Sequence, residues 1–560
     1  MPMKIAVRFL CLLLCLILLA GCAQPAAAPA ASQATAAPEI SGAAEDVSGE
    51  AEIQRRLAEI HALGTSPDDN YRTWYEVFVY SFCDSDGDGI GDLKGLTSKL
   101  DYLQELGVNG IWLMPIHPSP SYHKYDVSDY YGIDPAYGTM EDFSLLMAEC
   151  EKRDIHVILD LVLNHSGSEN PWFTQAVDYL RALGDGEPNG EDCPYFNYYH
   201  FAREALPGFT PIDGTDWHYE SRFSPDMPDL NLACQELREE IRNIMAFWLD
   251  QGVSGFRLDA AKEYYTGSIS KNLEVLSWIQ QTGQSLKEDI YLVAEVWDGF
   301  ATVSEYYESG LCSFFDFPFA DAGGKIISVL RGAGNPAVVS TYATALEKAD
   351  QSYGASNPDY IDAPFLSNHD VGRIAGFCSG DPAKIKLAGA MNLFMSGSAF
   401  VYYGEELGMT GSGNDPSKRA PMYWNEARDQ GTTAPPPECV LPERYPFPSY
   451  EIQKTDGDSI YNYYRQAIAI RQAIPALSHG KTTAEAALNQ GCVSAYRKTW
   501  GEETVVVLMN VSPEEARTEL SEYETWKLAA ALSATDREVL LEGRTLILPP
   551  WGTAVLIPGK

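Results

Sequence analysis

The stretch "GVSGFRLDAAKE", residues 252–263, is mostly apolar, yet it sets Arg257 and Asp259 two positions apart, alternating with Phe256 and Leu258. A strand carries positions i and i+2 on the same face. A buried charge is costly unless it is paired. Taken alone, the two residues read as a structural ion pair. Other apolar runs carry polar groups in the same way. "IHVILDLVLNH" holds Asp160 and ends in Asn164 and His165, "IYLVAEVW" holds Glu295, and "APFLSNHD" ends in His369 and Asp370. Together they supply both acid and base capacity. Glycoside hydrolysis needs this inventory: an ionised carboxylate as nucleophile and a protonated carboxyl as proton donor. Arg257 would keep Asp259 ionised. The apolar "YLVA" before Glu295 and Trp297 after it would raise the donor by desolvation.

These residues need a frame that brings strand ends together. From about residue 70, short apolar runs alternate with helical patterns: 74–82, 108–116, 155–165, 252–260, 290–297, 312–319, 363–370 and 398–406. Most are near-continuously apolar, as parallel strands covered on both faces are. Helix-like stretches such as "LKGLTSKLDYLQELG" and "REEIRNIMAFWLDQG" lie between them. Eight alternations predict an α/β fold, a (β/α)8 TIM barrel, in which the C-terminal strand ends converge on one face. The gap between the third and fourth runs is much longer than a βα connection. It is rich in Pro, Gly, Tyr and Trp and predicts an inserted subdomain over 166–231, leaving 70–165 and 232–478 to the barrel. The alternating segments "GCVSAYRKTW", "TVVVLMNVS" and "RTLILPPWGTAVLIP" predict an antiparallel C-terminal β-sandwich domain over 479–560.

The chain has 560 residues and a net charge of −38, from 40 basic and 78 acidic side chains. Such a surface repels nucleic acid and anionic lipid; it suits a neutral substrate or a bound cation. Lys4 and Arg8 precede the apolar run Phe9–Ala20, which is too short to span a membrane. The run ends in "LAGC", which resembles a bacterial lipobox with Cys22 as the lipidated first residue of the mature chain. An ordinary signal peptide cleaved nearby is the alternative. Residues 1–21 are thus expected to be a signal, and the Ala/Pro/Ser-rich segment 22–69 a flexible tether to a folded body. Of 11 cysteines, eight follow Cys22 without CxxC or metal-type spacing, which argues against zinc. Cys193 and Cys234 form a candidate disulfide pair; isolated buried thiols are the favoured reading.

"DLVLNH", "GFRLDAAKE", "EVWD" and "FLSNHD" resemble, in order and spacing, the four signature regions of the α-amylase family, glycoside hydrolase family 13. "GVNGIWLMP" and "MPDLN" resemble two further signatures, and the likeness covers roughly residues 70–560. "MPDLN" with "DSDGDGIGD" is similar to the branch between oligo-1,6-glucosidases and neopullulanases, which includes bacterial lipoprotein α-amylases. The resemblance implies that Asp259 is the nucleophile, Glu295 the acid/base and Asp370 the transition-state stabiliser. Arg257, supported by Asp160, would orient the nucleophile. His165 and His369 would bind the sugar at the cleavage point, with Tyr125 stacking on it and Asp126 beside it. Lys262 would lie on the leaving-group side, and Asp415 and Arg419 near the next sugar on the non-reducing side.

"DSDGDGIGD", residues 84–92, follows the first strand. Its alternating Asp84, Asp86 and Asp88, with Gly89 for a sharp turn and Asp92 closing the run, resemble the start of an EF-hand loop, although Gly95 stands where the closing glutamate belongs. A structural Ca2+ is expected there, held by Asp84, Asp86, Asp88, the Ile90 carbonyl and Asp92. The resemblance implies a second calcium on Asn164 and Asp229. Glu263 stands where many α-amylases have histidine, so this second site is expected to be weak or empty. The expected activity is retaining hydrolysis of α-1,4-glucans. A transglycosylase, an α-glucosidase or oligo-1,6-glucosidase, or a neopullulanase would use the same residues. A non-catalytic glucan-binding lipoprotein is disfavoured because all three carboxylates are present. The expected partners are an α-glucan and, through Cys22 alone, the outer face of a bacterial membrane; the expected state is a monomer.

Overall fold

The computed structural model describes residues 49–521, 523 and 525–559; Cys22 and the signal segment lie outside them. The central sheet is parallel and has seven strands: β1 (Thr73–Val77), β2 (Gly110–Leu113), β3 (His156–Leu161), β4 (Gly255–Leu258), β5 (Tyr291–Ala294), β6 (Ser313–Phe314) and β7 (Ala399–Tyr402). Its order is β7-β1-β2-β3-β4-β5-β6, and every pair is parallel. The run 363–370, expected as a strand, is a correction to the sequence reading: it forms only an isolated bridge, Phe315 with Ala363. Pro364 has no N–H to give to a ladder. The segment nonetheless closes the barrel. The N–H of Ile361 donates to Cys312 O (2.7 Å) and that of Asp316 to Ala363 O (3.0 Å). On the other edge, Ser398 donates to Asp362 O (2.7 Å) and Phe400 to Pro364 O (2.8 Å). The result is a (β/α)8 barrel.

Strand alternation sorts the side chains. Tyr75, Val77, Ile111, Leu113, Phe256, Leu258, Leu292 and Ala294 lie in the large core shared with the surrounding helices. Trp74, Trp112, Ile158, Tyr291, Val293, Phe315 and Phe400 fill the barrel interior as a separate cluster. Glycines let the bulky interior rings fit. A Cβ on Gly110 would sit 2.3 Å from the Trp74 ring, and one on Gly255 would sit 1.8 Å from the Tyr291 carbonyl oxygen. The inward positions nearest the strand ends are Glu76, Asp160 and Arg257, all buried.

The insertion contains a helix, Pro171–Leu183, and a three-stranded antiparallel sheet, Phe201–Ala202, Phe209–Pro211 and His218–Glu220. The C-terminal region has a five-stranded and a three-stranded antiparallel sheet. Val506, Leu508, Ala554 and Leu556 of the first share an apolar core with Leu546 and Leu548 of the second. All eight cysteines of the described residues are free thiols, Cys193 and Cys234 among them.

The expected tether 22–69 is corrected at its C-terminal end, where Gly49–His61 is a helix. Ile53, Leu57 and Ile60, at i, i+4 and i+7, are buried, and the helix packs on Ile460–Ala473. Arg55 pairs with Glu52 (2.7 Å) and Glu59 (2.6 Å) on its outer side. Among the described residues no helix is long and apolar enough to cross a membrane. Ile53 is 1% exposed. Ile53→Ala is expected to lower stability by about 2–5 kcal/mol, and limited proteolysis should then cut near residues 49–61, which stay protected in the wild type.

Candidate active site

The strand register builds the site. Asp160 on β3 and Arg257 on β4 are lateral partners in the sheet, so their side chains emerge side by side inside the barrel. Arg257 is fully buried, and its guanidinium meets three carboxylates. Nη1 donates to Asp160 Oδ1 (2.9 Å) and to Asp259 Oδ1 (2.5 Å); Nη2 donates to Glu295 Oε2 (2.9 Å). The Ala260 N–H also donates to Glu295 Oε2 (2.9 Å). Trp112 and Tyr125 rings lie 5.2 and 5.8 Å from the guanidinium carbon and reinforce the cation's place. Burial raises the Glu295 carboxyl from its ordinary value; Arg257 opposes this, while Asp259 and Asp370 add to it.

A second chain of charges runs through His369. Its Nδ1 is 2.6 Å from Glu76 Oε1 and its Nε2 is 3.0 Å from Asp370 Oδ2. Burial works against the imidazolium, but Asp370 and Glu76 together raise His369 to about 9. Although burial opposes it, His369 and then Arg419 hold Asp370 well below the usual carboxylate range. Arg419 Nη2 donates to Asp370 Oδ1 (2.9 Å) and its Nε to the His369 carbonyl (3.1 Å). Tyr125 links the two chains: its hydroxyl donates to Asp160 Oδ2 (3.1 Å) and lies 2.7 Å from His369 Nε2.

The residues bound a cleft of about 590 Å³ whose lining includes Tyr125, His165, Asp259, Lys262, Glu295, Asp370, Asp415 and Arg419. His165 is 2% exposed, its Nε2 has no partner, and burial lowers its pKa, so it offers a neutral ring nitrogen. Asp126 sits behind the cleft and accepts from Ser119 Oγ (2.6 Å) and from Ser121 Oγ. Lys262 Nζ pairs with Asp298 Oδ2 (2.7 Å), and Asp415 with Lys418 Nζ (2.9 Å). The site residues expected from the sequence thus gather at the cleft, but Asp126, Arg257 and His369 are absent from its lining and stand buried one layer behind it. The sequence reading missed Glu76, Tyr122, His123 and Phe223 as residues of the site, and gave Trp297 only a desolvating role beside Glu295. Glu76 carried a signal, a lone acid inside the apolar "WYEVFVY". Phe223 lies in the insertion, and its approach to the cleft depends on tertiary structure.

Two metal expectations separate. Asp84, Asp86 and Asp88 bring carboxylate oxygens within 4.8 Å of one another, an all-oxygen donor set that fits a hard divalent cation. Asp92 lies outside this cluster. It caps the helix Leu93–Ser98 through the Gly95 N–H (2.8 Å) and takes the Ser85 N–H (2.7 Å) and Oγ (2.8 Å). Ile90 gives its N–H to Asp88 Oδ1 (2.7 Å). Asn164 and Asp229, by contrast, satisfy each other. Asn164 Nδ2 donates to Asp229 Oδ1 (3.4 Å), and the Arg222 N–H donates to both Asp229 oxygens (3.1 Å each). Burial pushes the Asp229 carboxyl up to about 7. Glu263 pairs with Arg222 Nε (3.1 Å). Both Asp229 oxygens and the Glu263 carboxylate thus already have protein partners.

Residues 76–480 match the family model for the α-amylase catalytic domain. The chain is 37% identical over 493 residues to "Alpha-amylase 3" of Dictyoglomus thermophilum, covering 86% of this chain and 92% of that protein. It is 28% identical over 568 residues to an oligo-1,6-glucosidase of Parageobacillus thermoglucosidasius, covering 86% and 97%. The solved structure of Eubacterium rectale Amy13B superposes with a TM-score of 0.88 at 43% identity, covering 91% of this chain and 99% of that one.

The charge chain through His369 has a pH signature. A histidine raised by its partners adds stability that is complete below its unfolded value of about 6.5 and is lost as pH rises through about 9. The difference in thermal midpoint between wild type and His369→Asn is therefore expected to shrink over that window. A constant difference across it would contradict a protonated His369.

Proposed function

The chain belongs to the α-amylase family and is an α-amylase-type glycoside hydrolase, and on that premise we propose that it cleaves α-1,4-glucosidic bonds of starch and maltodextrins by double displacement. The observation that carries this reading is the Arg257 clamp. One guanidinium holds Asp259 and Glu295 beside the same cleft, at 2.5 and 2.9 Å. In the first step the raised Glu295 carboxyl gives its proton to the glycosidic oxygen. Asp259, fixed through Oδ1, attacks the anomeric carbon with Oδ2. The carbon–oxygen bond breaks, the leaving sugar departs with the proton, and an ester to Asp259 forms. In the second step the Glu295 carboxylate takes a proton from water, whose oxygen displaces Asp259 from the same carbon.

Asp370, held at both oxygens by His369 and Arg419, is the group proposed to stabilise the positive charge that develops at the sugar ring. The unpartnered Nε2 of His165 suits a sugar hydroxyl. The flat Tyr125 ring, stacked against His369 with centroids 5.4 Å apart, suits the apolar face of the sugar. Glu295→Gln and Asp259→Asn are each expected to lower starch hydrolysis by at least about a thousandfold with the fold intact. Early product followed by NMR in the wild type is expected as the α-anomer. Near-normal activity in either variant, or initial β-anomer, would overturn the mechanism.

Calcium at the acidic loop is part of the same proposal, with Asp84, Asp86, Asp88 and the Ile90 carbonyl as ligands. Its task there is structural: to neutralise three close carboxylates beside the barrel mouth. Elemental analysis after dialysis is expected to give close to one calcium per chain, lost in Asp86→Ala and kept in Asn164→Ala. Export and attachment of Cys22 to the outer face of a bacterial membrane are also proposed, on the support of the "LAGC" motif.

A further inference from the structure

Arg373 is a buried cation with no part in the two steps above. It is 1% exposed and follows Asp370 by three positions. Neither of its side-chain hydrogen bonds goes to a carboxylate. Nε donates to the Lys418 carbonyl (3.0 Å) and Nη1 to the Tyr403 carbonyl (2.6 Å). Nη2 has no partner, so these bonds offset only part of the cost of burying the charge. The Tyr402 and Tyr403 rings flank it, 4.3 and 4.8 Å from the guanidinium carbon. Gly404, at φ 77°, turns the chain beside it; a Cβ there would press 2.3 Å from Met409 Sδ and 3.4 Å from Arg373 Nη1. A charge buried at such expense needs a task.

Its two carbonyl partners say what it holds. The Lys418 carbonyl also accepts from the Tyr402 hydroxyl (3.2 Å), and the Ala420 carbonyl from the Tyr403 hydroxyl (2.7 Å). The Arg373 N–H donates to the Gly411 carbonyl (2.9 Å). The loop after β7 is thus pinned on both sides of Arg419. From that pinned backbone two cations reach back. Lys418 Nζ donates to the Asp370 carbonyl (2.6 Å). Arg419 Nη2 donates to Asp370 Oδ1 (2.9 Å) and Nε to the His369 carbonyl (3.1 Å). The bonds close a ring: segment 369–373 clasps residues 418–419, and these clasp it in return. Arg373 is absent from the cleft lining, whereas Asp370, Lys418 and Arg419 belong to it.

We infer that Arg373 is a positioning residue for the proposed reaction: by gripping the Lys418 and Tyr403 carbonyls it sets where the Arg419 side chain leaves the loop, and through Arg419 the direction in which the Asp370 carboxylate points. This deepens the role proposed for Asp370 and rests on it. A long side chain carries any displacement of its backbone to its tip. A carboxylate moved by about 1 Å from the charge it faces costs about a hundredfold in rate. Arginine suits the task because its planar fork spans two carbonyls in a fixed geometry, whereas lysine offers one point charge on a flexible stem. The charge on the sugar ring develops in the transition state, so the loss falls on kcat more than on KM.

The test is a double-mutant cycle on hydrolysis of maltohexaose, at a temperature where circular dichroism shows each variant folded. Arg373→Met is expected to lower kcat at least about tenfold in the wild-type background and less than about threefold in the Arg419→Met background, where the route to Asp370 is already cut. Arg373→Lys, which keeps the charge, and Tyr402→Phe, which removes one bond to the Lys418 carbonyl, carry the cycle if the methionine variant does not fold. Each is expected to show a smaller loss of kcat that also disappears in the Arg419→Met background. No loss in the wild-type background, the same fold-loss in both backgrounds, or a loss confined to KM overturns the inference, since a merely structural arginine acts whether or not Arg419 is present. Asp370→Asn checks the premise. Near-normal kcat in that variant overturns the role of Asp370 and this inference with it; an inactive Asp370→Asn beside equal losses in the cycle overturns this inference alone.

Discussion

One guanidinium, that of Arg257, carries the electrostatics of the barrel mouth. It has no exposed surface, and three carboxylates crowd it from β3, from the end of β4 and from the end of β5. A buried cation without partners, or three buried carboxylates without a cation, would cost several kcal/mol. Together they are tolerable, and they are tolerable only in one geometry. That geometry needs Asp160 and Arg257 in lateral register, and the register needs the bare Cα of Gly255 against the Tyr291 backbone. Removing the arginine would leave the acids repelling one another, at a cost of about 3–5 kcal/mol, so the clamp is as much a condition of folding as a device of the site.

The site is finished by loops that hold each other. The loop after β1 and the long loop after β7 are joined by backbone and side-chain hydrogen bonds. Met422 donates to Ser81 O (2.8 Å), Ser81 Oγ to Arg419 O (2.7 Å), Trp424 Nε1 to Phe82 O (2.6 Å) and Ala434 to Gly89 O (2.7 Å). Arg419 and the acidic loop 84–92 are therefore two ends of one assembly. The inserted subdomain does the corresponding task on the other wall. Arg222 reaches across to Glu263 at the end of β4, and Asp229 bridges to His165. The cleft is thus defined by contacts between segments far apart in the chain.

The sequence by itself determined the chemistry and the frame. Period-two alternation in "GFRLD" and "VILDL" puts Arg257 and Asp160 on inward faces, because a strand offers no other arrangement. Runs of apolar residues separated by helical patterns leave few topologies, and the parallel barrel is the one that gathers strand ends. Tertiary structure decided what depends on distant partners. Pro364 breaks a strand ladder, yet backbone bonds to Cys312, Ser398 and Phe400 still use its segment to close the barrel. Gly49–His61 follows an Ala/Pro-rich stretch and is helical because Ile53, Leu57 and Ile60 have a helix to pack on. Asp92 falls in a loop of metal-binding type, and tertiary structure also uses it to cap the helix Leu93–Ser98. Glu76 is matched to His369 across 293 positions of chain. Local pattern fixes which face a side chain takes; only the closed fold fixes which charge it meets there.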